Sequence, residues 1–212
     1  VLSRIDHLPR EDKQALRAAA VLGQRFDLVS LRYLINSPAY ECRALIEHHL
    51  VRPEGALYLF AHALIQEATY GSLLKRQRVE LHKSASEWFV DRDLMLHAEH
   101  LDRAQDATAT DAYLNAAREQ SGLYRHEGAL QLVRRALVIA SDQLRFTVGE
   151  LLRQLGYGQE SIEAYRPANQ FAGDEIDRCS AWSGAYTHLT LPTTFYVYTL
   201  VLTVLLQQHN CS

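Results

Sequence analysis

The strongest constraint on the fold is the stretch VRPEGALYLF, residues 51–60, in which the turn signal Pro53-Glu54-Gly55 separates two short extended runs. Proline presets the backbone for a turn and glycine tolerates conformations that other residues avoid, so this stretch predicts a small β-hairpin. Three punctuated helical segments precede it. Three short helices followed by a small hairpin is the order of a winged helix, and we expect such a regulatory module over residues 1–90.

Each of the three helical segments carries a start signal. Pro9 opens the first segment, and Gly23 is its expected stop. Asp27 is the expected N-cap of the second, because its side chain can accept a hydrogen bond from a free amide of the first turn. Ser37 is the expected N-cap of the third, over residues 38–50. Two further helices, spanning residues 61–74 and 77–90, complete the module.

Residues 93–171 are almost wholly helical and contain an internal repeat with a step of 32 residues. The repeated positions are Ala117, Ala129, Val133 and Ala136, which recur as Gly149, Ser161, Tyr165 and Ala168. Small residues let two helices cross closely while larger ones fill the groove, which is the pattern of a tetratricopeptide helical hairpin. Pro167 is the exception, since proline inside the second helix is expected to kink or end it. We therefore expect a mainly α fold, with tetratricopeptide-like repeats over residues 91–184.

The tail, residues 185–212, does not share this pattern. It contains no Lys, Arg, Asp or Glu, and it includes a 12-residue, mostly apolar run from Phe195 to Leu206. That run is shorter than the roughly 20 residues that a membrane-spanning helix needs, so we expect no membrane segment. The stretch AYTHLTLPTT resembles translated sequencing-adaptor read-through, and we expect the tail to be non-native sequence.

Composition and missing motifs exclude several classes of function. The formal net charge of −3 does not favour binding to nucleic acid or to anionic membranes. The sequence has no GxxxxGK[ST] phosphate loop, no HExxH and no GxSxG, so we expect no catalytic site in this chain. The three cysteines, Cys42, Cys179 and Cys211, match neither a disulfide framework nor a zinc spacing. They fit a reducing compartment, and we expect the protein to be cytoplasmic.

Two weaker patterns raise metal and DNA binding. His97 and His100 are three residues apart beside Glu99 and could share a helix face, but structural metal sites usually need four ligands. We favour a solvated face or a helix seam for this pair and expect no metal. The candidate recognition helix, 38–50, is not basic, and the KRQR cluster at residues 75–78 lies at a helix junction. DNA binding by this segment is therefore not favoured, because phosphate contacts supply much of the affinity for DNA.

His62 is the remaining candidate. It lies in FAHALIQEATY, at the point where an extended run passes into a helix. That helix offers little purely polar surface, so we expect it to be well buried. The free amides and the dipole of a helix N-terminus favour a phosphate group. On the residues alone, packing at a domain corner and phosphate sensing by His62 both remain open.

The chain resembles a family of signalling proteins over residues 1–184. RIDHLPREDKQALRAAAVLGQRFD, FAHALIQEATYGSLLKRQRVELH and the helical pairs that follow are similar to the C-terminal half of bacterial signal-transduction ATPases of the STAND (AAA-like) type. Such halves lie downstream of the nucleotide-binding domain in multidomain adenylate/guanylate cyclases and in LuxR-type regulators. The chain lacks an initiator Met, and we expect it to be part of such a longer protein. The phrase F-x-H-x-L-I-x-E-x-x-Y carries most of the resemblance.

The resemblance implies a role for His62. FAHAL is similar to the Met-His-Asp motif of related switch ATPases, in which the winged-helix histidine reaches the ADP phosphate and holds the closed state. His62 matches that histidine, whereas Ala63 stands where those relatives have Asp. The resemblance implies no cofactor in this chain, ATP or ADP in the parent, and an upstream nucleotide-binding domain and a protein partner of the repeats as partners. A pure interaction scaffold and the regulatory part of a LuxR-type activator remain alternatives.

Overall fold

The computed structural model describes residue 5 and residues 7–168 of the chain. The side chains of residues 142, 143, 146 and 166–168 lie outside that description. The described part is mainly helical, as the sequence predicts, and it contains one three-stranded sheet. The expectations for the tail, for Cys179 and Cys211 and for the side chain of Ala168 fall outside the described residues.

Contacts divide the chain into two compact units, with the division between Ala112 and Tyr113. The sequence instead places the end of the first module at residue 90 and the repeats over residues 91–184. That assignment of domains remains a prediction. Each unit is built from elements that are close in sequence, so each is described by itself.

The first unit contains six helices and three strands among its described residues. In chain order they are α1 (Arg10–Leu22), β1 (Arg25–Asp27), α2 (Leu28–Ile35), α3 (Arg43–Glu47), β2 (Val51–Glu54), β3 (Leu57–Phe60), α4 (Ala63–Gly71), α5 (Lys75–Phe89) and α6 (Leu94–Arg103). The hairpin that Pro53-Glu54-Gly55 predicts is formed by β2 and β3, with Gly55 in a left-handed conformation at φ 63°.

The sheet has the strand order β1-β3-β2, and both pairs are antiparallel. Phe26 of β1 and Pro53 of β2 both pair with Tyr58 of the central strand. Pro53 therefore lies on an edge strand, where its missing amide proton costs no ladder hydrogen bond. The central strand β3 ends at Phe60, and α4 begins three residues later.

The core of the first unit is a cluster of buried apolar side chains from the helices that surround this sheet. Phe60 is 1% exposed and lies edge-on to Phe26, with ring centres 5.8 Å apart. Further large members come from α1 to α3, from the loops after them and from the start of β2: Leu16, Leu31, Leu34, Ile35, Tyr40, Leu45, Leu50 and Val51. This cluster fixes the position of the β3–α4 junction, because Phe60 and Ile65 are both part of it.

The helix signals at Pro9, Gly23 and Asp27 are confirmed. Helix α1 begins directly after Pro9 and ends at Gly23, whose φ of 127° few side chains adopt. Asp27 caps α2: its Oδ1 accepts a hydrogen bond from the Ser30 amide at 2.7 Å. These three residues act on their own neighbours in sequence, so a single sequence is sufficient to find them.

The expected helix over residues 38–50 is wrong. The helix in this region, α3, covers only Arg43–Glu47, and Ser37 is not its cap. The side chain of Tyr40 is the physical reason. Its hydroxyl donates to Asp12 Oδ1 at 2.8 Å, and its carbonyl accepts from Arg32 Nε at 2.8 Å. Burying Tyr40 against α1 and α2 holds the preceding residues in a turn rather than a helix.

Four helices follow. They are α7 (Ala109–Gly122), which crosses the division in the sequence, α8 (His126–Ile139), α9 (Asp142–Gln154) and α10 (Gly158–Ala168). Helix α10 continues through Pro167 to Ala168, which is the last described residue. The repeat positions that the structure describes are all buried: Ala117, Ala129, Val133, Ala136, Gly149, Ser161 and Tyr165.

Gly149 shows why the repeat needs a small residue at this point. A Cβ atom added to Gly149 would lie 2.8 Å from Cε1 of Tyr165, closer than real Cβ contacts allow. The hydroxyl of Ser161 donates to the Gly149 carbonyl at 2.9 Å. Helices α9 and α10 therefore cross so closely that the backbone of Gly149 packs against the ring of Tyr165. The preceding copy of the repeat has the larger Ala117 where Gly149 stands and the smaller Val133 where Tyr165 stands.

The loop inside each hairpin follows the repeat as well. Gly156, between α9 and α10, has φ 87°, and Tyr124, 32 residues earlier between α7 and α8, has φ 58°. Both amides donate to the carbonyl three residues before them. The left-handed conformation suits glycine and is costly for a residue with a Cβ atom. Tyr124, which is 85% exposed, therefore occupies a glycine position.

Candidate functional site

His62 lies at the N-cap of α4, directly after the core-anchored end of β3. Its backbone is extended, with φ −144° and ψ 140°, and its carbonyl accepts the first helical hydrogen bond from the Ile65 amide at 2.9 Å. The imidazole makes no capping hydrogen bond and is exposed to solvent. The sequence places His62 in the first turn, and the structure moves it by one position, to the cap.

The backbone on the N-terminal side of His62 is held firmly. The Phe60 amide donates to the Gln24 carbonyl at 3.1 Å, and Gln24 Nε2 donates back to the Phe60 carbonyl at 3.1 Å. The Ala61 amide donates to the Leu50 carbonyl at 3.0 Å. A fixed backbone with an exposed imidazole is an arrangement that can present a side chain to a group outside this unit.

Helix α4 is not the well-buried helix that the sequence predicts. Only Ile65 and Thr69 are buried, while Leu64 is 72% exposed. Gln66 Nε2 donates to the Ala20 carbonyl at 2.7 Å and ties the inner face to α1. The outer face of α4 is exposed, as His62 is, and it carries Leu64, Glu67, Ala68 and Gly71. The expectation failed because Leu64 and Ala68 are apolar but face solvent.

The last residue of the sequence motif, Tyr70, leads into a buried polar chain. Its hydroxyl is 2.8 Å from Nε2 of His82 on α5, and Nδ1 of His82 is 2.9 Å from Nδ1 of His100 on α6. His82 is 0% exposed and His100 is 2% exposed. The ring of Phe89 stacks on His100 with centres 5.5 Å apart. The imidazoles of His82 and His100 are thus enclosed between helices and hydrogen-bonded to each other.

The surroundings of the pair favour the neutral imidazoles. Burial, followed by the neighbouring His100, Arg103 and Arg78, lowers the pKa of His82 to about 3. Burial, followed by Arg103 and His97, lowers the pKa of His100 to about 4. Burial removes the water that would solvate an imidazolium, and the nearby guanidiniums repel its charge. Near neutral pH both rings are therefore uncharged.

The structure corrects the interpretation of His97 and His100 in part. They do not lie on a solvated face, because His100 is buried and Nδ1 of His97 is 2.8 Å from the Ser86 carbonyl across the α5–α6 seam. The seam interpretation is confirmed. Within residues 5 and 7–168, no group of three or more His, Cys, Asp or Glu side chains is placed to hold a metal ion.

Sequence reasoning missed His82, although a signal for it exists. His82, Ala85, Ser86 and Phe89 recur at helical spacing, and the first three are the buried residues of α5. A histidine on the buried face of a helix needs a hydrogen-bond partner, because an unpaired buried polar group is costly. The sequence does not say which partner that is, since His100 lies 18 residues away on another helix.

The basic cluster at residues 75–78 forms the first turn of α5. Arg76 pairs with Glu80 at 2.8 Å on the surface, and the guanidinium of Arg78 lies 5.5 Å from the centre of the Tyr70 ring. In the short helix α3, Arg43 pairs with Glu41 at 3.2 Å. Arg43 and Arg76 therefore have carboxylate partners within the chain.

No protein-family model matches the chain, and a search of curated proteins found no significant match. Among solved structures, the chain is similar to a Signal Transduction ATPase with Numerous Domains (STAND) protein with a tetratricopeptide repeat sensor from Pyrococcus horikoshii. The TM-score is 0.33 and the identity is 13%; the match covers 86% of this chain and 35% of that one. The chain therefore spans about a third of the length of that protein. At this TM-score, the function of this chain has to be argued from its own residues.

The described residues contain no helix that is both long enough and apolar enough to cross a membrane. Among the exposed apolar side chains of the first unit, Leu64 lies on α4 and Leu74 directly precedes α5.

Proposed function

We propose that this chain is the regulatory and protein-interaction part of a longer bacterial ATP-dependent signalling protein, in which it couples nucleotide state to partner binding. The proposed parts are a winged-helix module that carries His62 and a tetratricopeptide-like array. Three helices, a three-stranded antiparallel sheet of order β1-β3-β2 and the β2–β3 hairpin support the first part. The buried small positions of the 32-residue repeat support the second.

The observation that carries the proposal is the imidazole of His62, which is exposed at the N-cap of α4 and makes no capping hydrogen bond. Cap residues usually direct an oxygen at the first-turn amides, which satisfies one of them. His62 does not, so its imidazole is free at a helix N-terminus, where the amides that precede the first helical hydrogen bond have no partner within the helix. Those are the donors that a phosphate group needs.

The proposed mechanism is a switch between two states of the longer protein. In the closed state, the phosphate of ADP held by an upstream nucleotide-binding domain accepts a hydrogen bond from His62 and holds the winged-helix module against that domain. Exchange for ATP releases the module and frees the helical array to bind a protein partner. Ala63 stands where related switch proteins have Asp, so His62 acts here without that carboxylate.

The output domain is part of the proposal. We place an adenylate or guanylate cyclase domain elsewhere in the parent, with catalysis and ATP binding outside the present chain and the protein in the cytoplasm. The absence of a phosphate-loop motif from this sequence is consistent with that division of labour. Within the described residues, the surface offered to partners is the outer face of the helical hairpins and of α4.

The test uses the full-length parent with His62→Asn. Asparagine is among the best N-cap residues, so this variant is expected to keep α4 while it removes the imidazole. His126→Asn is the matched control, since His126 is an exposed histidine at the start of another helix, α8. The nucleotide that co-purifies with each protein and the affinity for ADP are measured.

We expect His62→Asn to weaken ADP binding on the order of tenfold, the effect of one lost hydrogen bond to a charged group. We expect His126→Asn to bind ADP as the unchanged protein does. Equal ADP affinity and equal basal activity in all three proteins would contradict the proposal. That result would favour the alternative of an interaction scaffold in which His62 only packs.

A further inference from the structure

The Tyr70–His82–His100 chain joins three helices through two hydrogen bonds. Tyr70 lies near the end of α4, His82 in the middle of α5 and His100 in the second half of α6. The bonds measure 2.8 Å and 2.9 Å, and both imidazoles are sealed from solvent. The helix that carries His62 at its start is therefore connected, near its end, to α6 by a continuous line of polar atoms.

Helix α6 contributes no described residue to the large apolar cluster of the first unit. Its buried residues are Ala98, His100 and Leu101. One of the three is an imidazole whose Nδ1 is bonded to His82. The attachment of α6 to α5 is therefore partly polar, through this bond and through His97 Nδ1, which is 2.8 Å from the Ser86 carbonyl.

The chain has two proton arrangements that make the same two hydrogen bonds. In one, Tyr70 donates to Nε2 of His82, and Nδ1–H of His82 donates to Nδ1 of His100. In the other, Nδ1–H of His100 donates to Nδ1 of His82, and Nε2–H of His82 donates to the Tyr70 oxygen. Both rings are neutral in each arrangement, and their tautomers are complementary, because one Nδ1 must carry the proton that the other accepts.

Tyr70 decides between the arrangements. The second one frees the hydroxyl proton of Tyr70, which then needs another acceptor. Tyr70 is only half-buried, so solvent can supply that acceptor, whereas the guanidinium of Arg78 over its ring offers donors only. The acceptor available to the Tyr70 hydroxyl therefore determines which Nδ1, that of His82 or that of His100, carries the shared proton.

We propose that the Tyr70–His82–His100 chain is a polar latch that couples α4 to α6, so that displacement of Tyr70 loosens α6. The latch is a two-state element, which is what coupling between separate helices requires. It stands independently of nucleotide sensing by His62, because its tests use the present chain without nucleotide. Failure of the latch and failure of the His62 proposal are therefore distinguishable.

The first test is Tyr70→Phe, which keeps the ring over which Arg78 stacks and removes only the hydroxyl. Tyr33→Phe is the matched control, because Tyr33 is an exposed tyrosine whose ring packs on Trp88. Hydrogen–deuterium exchange of α6 amides is measured. We expect exchange on the order of tenfold faster in Tyr70→Phe, as the loss of one hydrogen bond to a buried imidazole implies, and no change in Tyr33→Phe. Unchanged α6 exchange in Tyr70→Phe would overturn the latch.

A second test separates the latch from general loss of packing. His100→Asn keeps an amide donor and acceptor close to the place of Nδ1, whereas His100→Leu removes it and keeps an apolar side chain. We expect His100→Asn to protect the α6 amides more than His100→Leu does. Equal protection in the two variants, or two imidazoles with the same tautomer in ¹⁵N spectra of the unchanged chain, would overturn the latch.

Discussion

The Nδ1 atoms of His82 and His100 lie 2.9 Å apart in the buried seam between α5 and α6. This contact requires one protonated and one unprotonated Nδ1, so two charged imidazoles cannot keep it. The groups that act on the pair from the surrounding helices are Tyr70, Arg78, His97 and Arg103, and no carboxylate is among those that shift the two pKa values. The seam between α5 and α6 therefore favours the neutral form of both histidines.

The stability of the first unit is expected to fall in mild acid. The usual histidine pKa of 6.5 applies to the unfolded chain, whereas the folded values are about 3 and about 4. Below pH 6.5 the unfolded chain therefore binds more protons than the folded chain. The free energy of unfolding decreases as the pH falls towards about 4, by up to ~1.4 kcal/mol per pH unit for each imidazole.

Urea unfolding across this pH range checks the effect in matched variants. His100→Asn is expected to have a shallower pH dependence than the unchanged chain, because one of the two titrating groups is gone. His7→Asn, which changes an exposed histidine, is expected to keep the full dependence. A His100→Asn variant with the same slope as the unchanged chain would show that the buried pair does not titrate as described.

Gly149→Ala is expected to destabilise the second unit. The added methyl group would meet the Tyr165 ring at 2.8 Å, and such overpacking costs about 1–3 kcal/mol. Gly128→Ala is the control, since a methyl group there meets only Gln120 Oε1 at 3.7 Å. A helical Gly-to-Ala change without a clash stabilises by about 0.5–1 kcal/mol. Thermal unfolding is expected to move in opposite directions for the two variants, and equal shifts would refute the close crossing.

Tyr124→Gly is expected to stabilise the second unit by about 1 kcal/mol, because glycine adopts the left-handed conformation without the cost that a Cβ atom brings. Gly156→Ala, at the corresponding position of the next hairpin, is expected to destabilise by a similar amount. No atom lies within 4 Å of a Cβ added at Gly156, so the effect there comes from the backbone alone. A destabilising Tyr124→Gly variant would show that the exposed ring makes a contribution that the loop conformation does not reveal.

Tyr40→Phe is expected to destabilise the first unit by about 1–3 kcal/mol, because it leaves the carboxylate of Asp12 without the hydroxyl that donates to it. The lost hydrogen bond is one that holds the turn before α3. Tyr33→Phe again serves as the control. Chemical denaturation compares the three proteins, and equal midpoints for Tyr40→Phe and Tyr33→Phe would remove the buried hydrogen bond as the cause of the turn.

The sequence predicts those elements whose causes are local. Gly23 and Asp27 act on adjacent residues, and both take the predicted roles. The 32-residue repeat predicts the buried small positions, including Gly149, because the pattern records packing that occurs twice. Periodic packing and capping are therefore visible in a single sequence.

The remaining features depend on contacts between distant residues. The turn before α3 is held by Tyr40 and Asp12, which are 28 residues apart. The histidine pair is 18 residues apart, and nothing in the sequence near His82 indicates that His100 is its partner. The position of His62 was predicted to within one residue, but the exposure of α4 was not, because the sequence does not show which apolar side chains lack a neighbour.

If His62 detects a phosphate held by another domain, ADP must change hydrogen–deuterium exchange at the start of α4. The full-length parent is compared with the present chain, each with and without ADP. We expect ADP to slow exchange of the first-turn amides of α4 in the parent, to leave them unchanged in the present chain, and to lose its effect in the His62→Asn parent. ADP that binds the parent but leaves the α4 amides unchanged would contradict the claim.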